Sequence, residues 1–142
     1  MQRDFKEHFA DEAFRAIPLE VVAALKHKQH KLANYMKQIG KEKFDKGAEV
    51  TRATIVNNLA VICSERYLSK IEKFIISSDD DGVEKVRQFR VEAIRGILQD
   101  KEVTAHIERI VEAKILCFLC DSFPQDEKCV IVLIFDRQLA NH

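Results

Sequence analysis

Between Leu19 and about Lys43, apolar residues recur at alternating spacings of three and four. Val22, Leu25, Leu32, Met36 and Ile39 form the stripe, with Gln29 in the same row. That spacing puts them on one face of an amphipathic helix, close to a coiled-coil seam with a single polar position. Ahead of it, Asp4 to Ala16 reads as a short helix with Phe5 and Phe9 on one face, widened by Phe14 and Ile17. Pro18 closes that pattern and suits the first position of the helix that follows.

Glu49 to Ser77 reads as a third and longer helix. Val56, Ala60, Cys63, Tyr67, Ile71 and Phe74 form one stripe, and Ile55, Leu59 and Ile62 widen it. A helix apolar around so much of its girth belongs at the centre of a bundle. Ser77-Ser78-Asp79-Asp80-Asp81-Gly82 is the clearest break in the chain, a polar turn with an Asp placed to accept the next helix's free N–H groups. A fourth helix is expected from Val83 to about Leu98, with Val86, Phe89, Ala93, Ile94, Ile97 and Leu98 facing inward. A fifth begins near Asp100 as its cap and carries Val103, Ile107, Ile110, Val111 and Phe118.

Toward the C-terminus the period disappears. Ile115 to Cys120 and Cys129 to Phe135 are continuous apolar runs around Ser122-Phe123-Pro124-Gln125-Asp126. Such runs fit a buried helix or a buried strand equally well. A last helix is preferred, because every preceding element reads as helical and a lone two-stranded sheet is marginal. The alternative is an α+β fold with a C-terminal β-hairpin near 115–135. The expectation is therefore an all-α, single-domain bundle of five or six helices spanning residues 1–142, with a long central helix.

Composition supports long elements, since only four Gly and two Pro interrupt 142 residues. Charge narrows the partners. With 23 basic and 23 acidic residues the net charge is zero, which removes the general electrostatic case for nucleic acid or an anionic membrane. No run approaches the ~18 apolar residues of a membrane span. The N-terminal Met-Gln-Arg-Asp-Phe-Lys-Glu lacks the apolar stretch of a signal peptide. Four cysteines without an export signal suggest reduced thiols and an intracellular, cytoplasmic or nuclear, location.

Candidate chemistry is sparse. Cys117 and Cys120 form a Cys-x-x-Cys pair, with Cys129 close behind. A tetrahedral zinc site would need Cys63, His106 or His142 as a fourth ligand, none at a characteristic spacing. The pair lies among Ile, Leu and Phe, without the helix N-terminus or cations that favour a thiolate, so core packing is the expected role. His27 and His30 share a helix face, but Lys26, Lys28 and Lys31 beside them oppose a metal ion. Asp4, His8 and Glu12 line up at spacings of four as an exposed ion-pairing face. Glu102 and His106 are too ordinary a pair to signal acid–base catalysis, and the isolated glycines Gly40, Gly47, Gly82 and Gly96 build no phosphate loop. Neither catalytic residues, nor a cofactor, nor metal ligands are assigned.

Two binding surfaces remain as expectations. Lys26, Lys28, Lys31, Lys37, Lys41 and Lys43 make residues 26–46 locally basic, a face for phosphates or acidic partners. Thr51 to Leu59 superficially resembles the second helix of a helix-turn-helix, though its connection is too long. The other surface is apolar: Gln29, Leu32 and Met36 in the second-helix stripe, together with the C-terminal runs, suit a protein interface whose polar position sets register. Ser77 and Ser78 beside three Asp also fit an acid-directed phosphorylation site, although a helix-capping turn explains them fully. The leading functional expectation is a non-enzymatic interaction or adaptor module, homodimeric in one version. A nucleic-acid-associated protein ranks second, and a zinc- or thiol-dependent protein third.

Overall fold

Asn57 sits in the left-handed region at φ 54°, and with Asn58 it turns the chain back on itself in two residues. On either side, Val50–Val56 (β1) and Leu59–Glu65 (β2) pair antiparallel, from Val50 opposite Glu65 to Val56 opposite Leu59. Asn tolerates this backbone far better than a β-branched residue would, and such a turn suits a tight hairpin. The structure is a computed structural model that describes residues 18–44 and 46–139.

Helix α1, Leu19–Lys43, starts at Pro18, whose carbonyl accepts from the N–H groups of Val21 and Val22. Gly40 does not end it, and the last turn closes with Phe44 N–H donating to the Gly40 carbonyl. Ser69 and Glu72 form a reciprocal capping box that starts α2, Lys70–Ser78. The polar turn after it leads into α3, Gly82–Gln99. Asp100 then caps α4, Lys101–Val111, its carboxylate accepting from the N–H groups of Glu102 and Val103. Glu112 ends α4 in a left-handed conformation at φ 60°. Strand β3, Ile115–Phe123, a 3-10 turn at Pro124–Asp126 and strand β4, Lys128–Phe135, complete the chain as described.

The four strands make one antiparallel sheet in the order β1-β2-β4-β3. Helix α1 lies against β1, α3 against β3, and α4 fills the space beside α1 and α3. The core joins Leu32, Met36 and Ile39 of α1 and Ile94 and Leu98 of α3 to Val103, Ile107 and Val111 of α4. All pack onto Ile55, Ala60, Ile62, Ile131, Leu133 and Phe135 of the sheet. This is a two-layer α+β fold.

That finding overturns the all-α bundle. The central helix expected over 49–77 is instead a β-hairpin and a short helix, and Cys63, Ile55 and Leu59 belong to strands. Residues 115–135 form strands rather than a last helix, and Phe118 lies on β3 rather than on the fifth helix. One physical reason covers both. β2, β3 and β4 are largely apolar on both faces of the sheet, and β1 mixes Thr51, Arg52 and Thr54 with apolar residues on both of its faces, so none shows the clean alternation of a half-buried strand. The helices expected near 19–43, 83–98 and from Asp100 onward are present close to those bounds. The short helix expected over Asp4 to Ala16 lies outside the described residues.

Candidate functional site

Side chains alternate across a strand, so the register assigns each strand residue to one of two faces. Ile55, Ala60, Ile62, Ile131, Leu133 and Phe135 face the helices. The alternate positions form four rows on the opposite face. From one end these are Val50–Glu65–Lys128–Phe123, Arg52–Cys63–Val130–Asp121, Thr54–Val61–Val132–Leu119 and Val56–Leu59–Ile134–Cys117. None of these sixteen residues joins either buried core cluster. Val56 is 51% exposed, Leu119 64% and Phe123 46%, while Leu116, at the bulge between Ile115 and Cys117, is 67% exposed.

Among the described residues, then, the sheet has one face packed under helices and one face without a covering layer. An antiparallel sheet with a solvated face ordinarily carries polar side chains there. This one carries Val, Leu, Ile and Cys through its middle, with Arg52, Glu65, Lys128 and Asp121 near one end. An apolar centre beside charged residues departs from that pattern and makes a contiguous exposed apolar patch. Asp121 is held by Arg87, whose Nε donates to its Oδ1 at 2.8 Å. The bonds from Arg87 and from the Ser122 N–H keep its carboxyl below the usual carboxylate range.

The candidate cysteines separate by strand parity. Cys117 and Cys63 are exposed on the open face, whereas Cys120 and Cys129 point toward the helices. Burial pushes the Cys129 thiol up to about 12, so it is a packed thiol rather than a nucleophile. No group of three metal-capable side chains forms among the described residues. His106 stacks on Tyr35 with ring centroids 4.0 Å apart, and His27 and His30 are both exposed on α1.

The six lysines do not form a single face. At about 100° per residue, Lys26, Lys37 and Lys41 fall within about 60° of one another, while Lys28, Lys31 and Lys43 point elsewhere. Lys28 Nζ donates to the Val111 carbonyl at 3.2 Å and pairs with Glu112, so it serves the end of α4. Lys37 Nζ donates to the Glu49 carbonyl. The apolar candidates Leu32 and Met36 lie in the chain's own core, and Gln29 Oε1 accepts from the Ile55 N–H. All three are thus occupied within the chain. Ser77 and Ser78 hydroxyls donate to the Phe74 carbonyl at the exposed end of α2.

A second feature, absent from the sequence reading, is a buried polar knot. Arg90 Nε donates to Glu72 Oε2 at 2.6 Å, and its Nη2 donates to the Tyr67 carbonyl at 3.1 Å. The guanidinium lies 4.0 Å from the Phe44 ring centre and 4.8 Å from that of Tyr67. The Tyr67 hydroxyl is bonded to Ser122 and donates to the Lys128 carbonyl, and burial pushes it up to about 12. A cavity of about 70 Å³ adjoins the knot, lined by Met36, Phe44, Ile62, Ile94 and Cys129 among others. Among the described residues no buried side-chain polar atom lacks a partner. The knot therefore ties α2, α3 and the sheet together and leaves no group aimed at a ligand.

Residues 25–137 match the family model described as MpsC, Na+-translocating membrane potential-generating system. The uncharacterized protein YrhF of Bacillus subtilis (strain 168) is 30% identical over 112 residues, which cover 79% of this chain and 90% of that protein. No solved structure matches. No described helix is long and apolar enough to cross a membrane.

Proposed function

This chain belongs to the MpsC family, and from that premise we propose that it is a non-enzymatic interaction module that binds a protein partner through its open sheet face. One observation carries the proposal. Sixteen outward positions on four strands are predominantly apolar at their centre and lack a covering layer among the described residues. Four strands at about 4.8 Å spacing and seven residues at about 3.3 Å make a face of roughly 19 by 23 Å. That is larger than the scattered apolar side chains of an ordinary surface.

The family description names a system that generates membrane potential. A chain without a membrane-crossing helix among its described elements would take part in such a system as a docked component. An intracellular setting belongs to the same proposal, because Cys63 and Cys117 lie exposed as free thiols on the docking face.

Thiol labelling in cell lysate tests this reading. With a partner seated, Cys63 is alkylated far more slowly in lysate of the native host than in the unfolded chain, and Val132→Asp removes the protection. If Cys63 labels in lysate as fast as an unfolded thiol, the face is bare and the proposal fails.

A further inference from the structure

Resting on that reading of the open face, we infer that its occupant is a second copy of this chain. The copies pack face to face about a two-fold axis parallel to the strands, between β2 and β4. Rotation about this axis carries β1 of one copy over β3 of the other and β2 over β4. Each row of the register stays at its own level, so the rows can be compared directly.

The comparison is self-complementary. At the end row, Glu65 of each copy meets Lys128 of the other. One level in, Arg52 meets Asp121, adding a cation to a carboxylate that already pairs with Arg87. In the remaining levels Val61 meets Val132 and Leu59 meets Ile134, apolar on apolar. A self-complementary patch is what a two-fold interface requires. The other axis that stacks this face on itself runs across the strands. It would set Glu65 and Lys128 against Leu59 and Ile134, burying charges on apolar side chains at a cost no contact offsets.

Stacked sheets keep their strands within about 30° of each other, so the alignment is closest at the central strands. Glu65 and Lys128 are on those strands, half-exposed and exposed respectively, and in the pair they form a square of four alternating charges. Two such faces together cover on the order of 1,000 Å², the lower bound of specific interfaces.

Light scattering on the purified chain with charge-swap variants tests this. The wild type is expected at twice the chain mass of 16.4 kDa, with Cys63 protected from alkylation. Glu65→Lys and Lys128→Glu should each weaken association at least roughly tenfold, about 1.4 kcal/mol, since each sets like charges across the axis. Mixing the two variants should restore the pair as a heterodimer, because the charges then oppose correctly between copies. Their in-sheet repulsion remains in the mixture, so recovery reports the interface and not the fold. A dimeric wild type whose mixed variants stay apart overturns this geometry. A monomeric wild type with reactive Cys63 overturns the second copy, and if lysate still protects Cys63 the docking face stands with another occupant. Reactivity in both settings removes both proposals.

Discussion

The side-chain carbonyl of Gln29 accepts the backbone N–H of Ile55 at 2.9 Å. β1 is an edge strand, and at Ile55 the N–H points away from β2, toward the open side of the ladder. A polar residue in the middle of an apolar helix stripe thus satisfies a donor that the sheet cannot. Gln29→Leu is expected to keep the helix and lose the bond, leaving a part-buried N–H unpaired. The cost should be about 1–2 kcal/mol in urea unfolding. A variant as stable as the wild type would show that water serves the N–H equally well.

Arg90 and Glu72 are 4% and 7% exposed, so each neutralises a charge with almost no solvent. Glu72→Gln or Arg90→Met alone strands one buried charge and should cost about 3–5 kcal/mol. The pair replaced together, Glu72→Leu with Arg90→Met, should recover much of that loss. Chemical denaturation of the three variants provides the check, and a double variant worse than either single would contradict it.

The same carboxylate predicts a pH dependence. Burial pushes Glu72 up, but the bonds from Arg90 and from the Ser69 N–H outweigh it and hold the carboxyl below its ordinary range. A depressed folded value means that the unfolded state binds the proton first. The stabilisation is complete above the unfolded value, about 4.3, and is lost as the pH falls through the folded one. Unfolding free energy measured downward from pH 6 should drop more steeply in the wild type than in Glu72→Gln. Parallel curves would assign the acid sensitivity to other groups.

Gly82 is buried at the start of α3, where a Cβ would lie 2.1 Å from the Ile75 carbonyl oxygen and 2.8 Å from Ile76 Cα. Both neighbours are backbone, so neither can rotate away. Gly82→Ala should therefore separate α2 from α3 and destabilise by about 1–3 kcal/mol. Gly96 has nothing within 4 Å, so Gly96→Ala, inside the same helix, should stabilise slightly. Thermal midpoints moving in the same direction for the two variants would sink this contrast.

Cys129 has its thiol pushed up to about 12 by burial. Alkylation at mildly basic pH should leave it untouched in the native protein and reach it only as the chain opens. Mass spectrometry of digests sampled over time would identify the modified thiols, and early labelling at Cys129 would contradict the packing described.

The elements that were legible in the sequence are those with one wet face. The α1 stripe, the polar turn at 77–82 and the Asp100 cap all contrast sharply with their surroundings. β2, β3 and β4 were not legible as strands because their outward residues are also largely apolar, and β1 because polar and apolar residues mix on both of its faces, which erased the alternation. Local signals did exist. Asn57-Asn58 between β-branched runs marks a hairpin, and Ser69-x-x-Glu72 marks a helix start. The open apolar face escaped notice for the same reason, since the outward residues that blurred β2, β3 and β4 make up most of it. The Arg90–Glu72 knot joins positions 18 apart on different helices, and no spacing rule in one chain brings such a pair together.

Gln29 also bears on what kind of assembly this protein can make. It occupies the rim of β1, while the bulge at Leu116 breaks the regular ladder on β3 at the opposite rim. Unpaired strand rims are where copies add on without end. With one rim stoppered and the other kinked, the sheet resists growing sideways into a fibre, and stacking on a single face is satisfied by one neighbour. Under the proposed face-to-face pairing, a copy that has found its counterpart has no further face to offer, so the complex closes at a finite size instead of growing into a polymer.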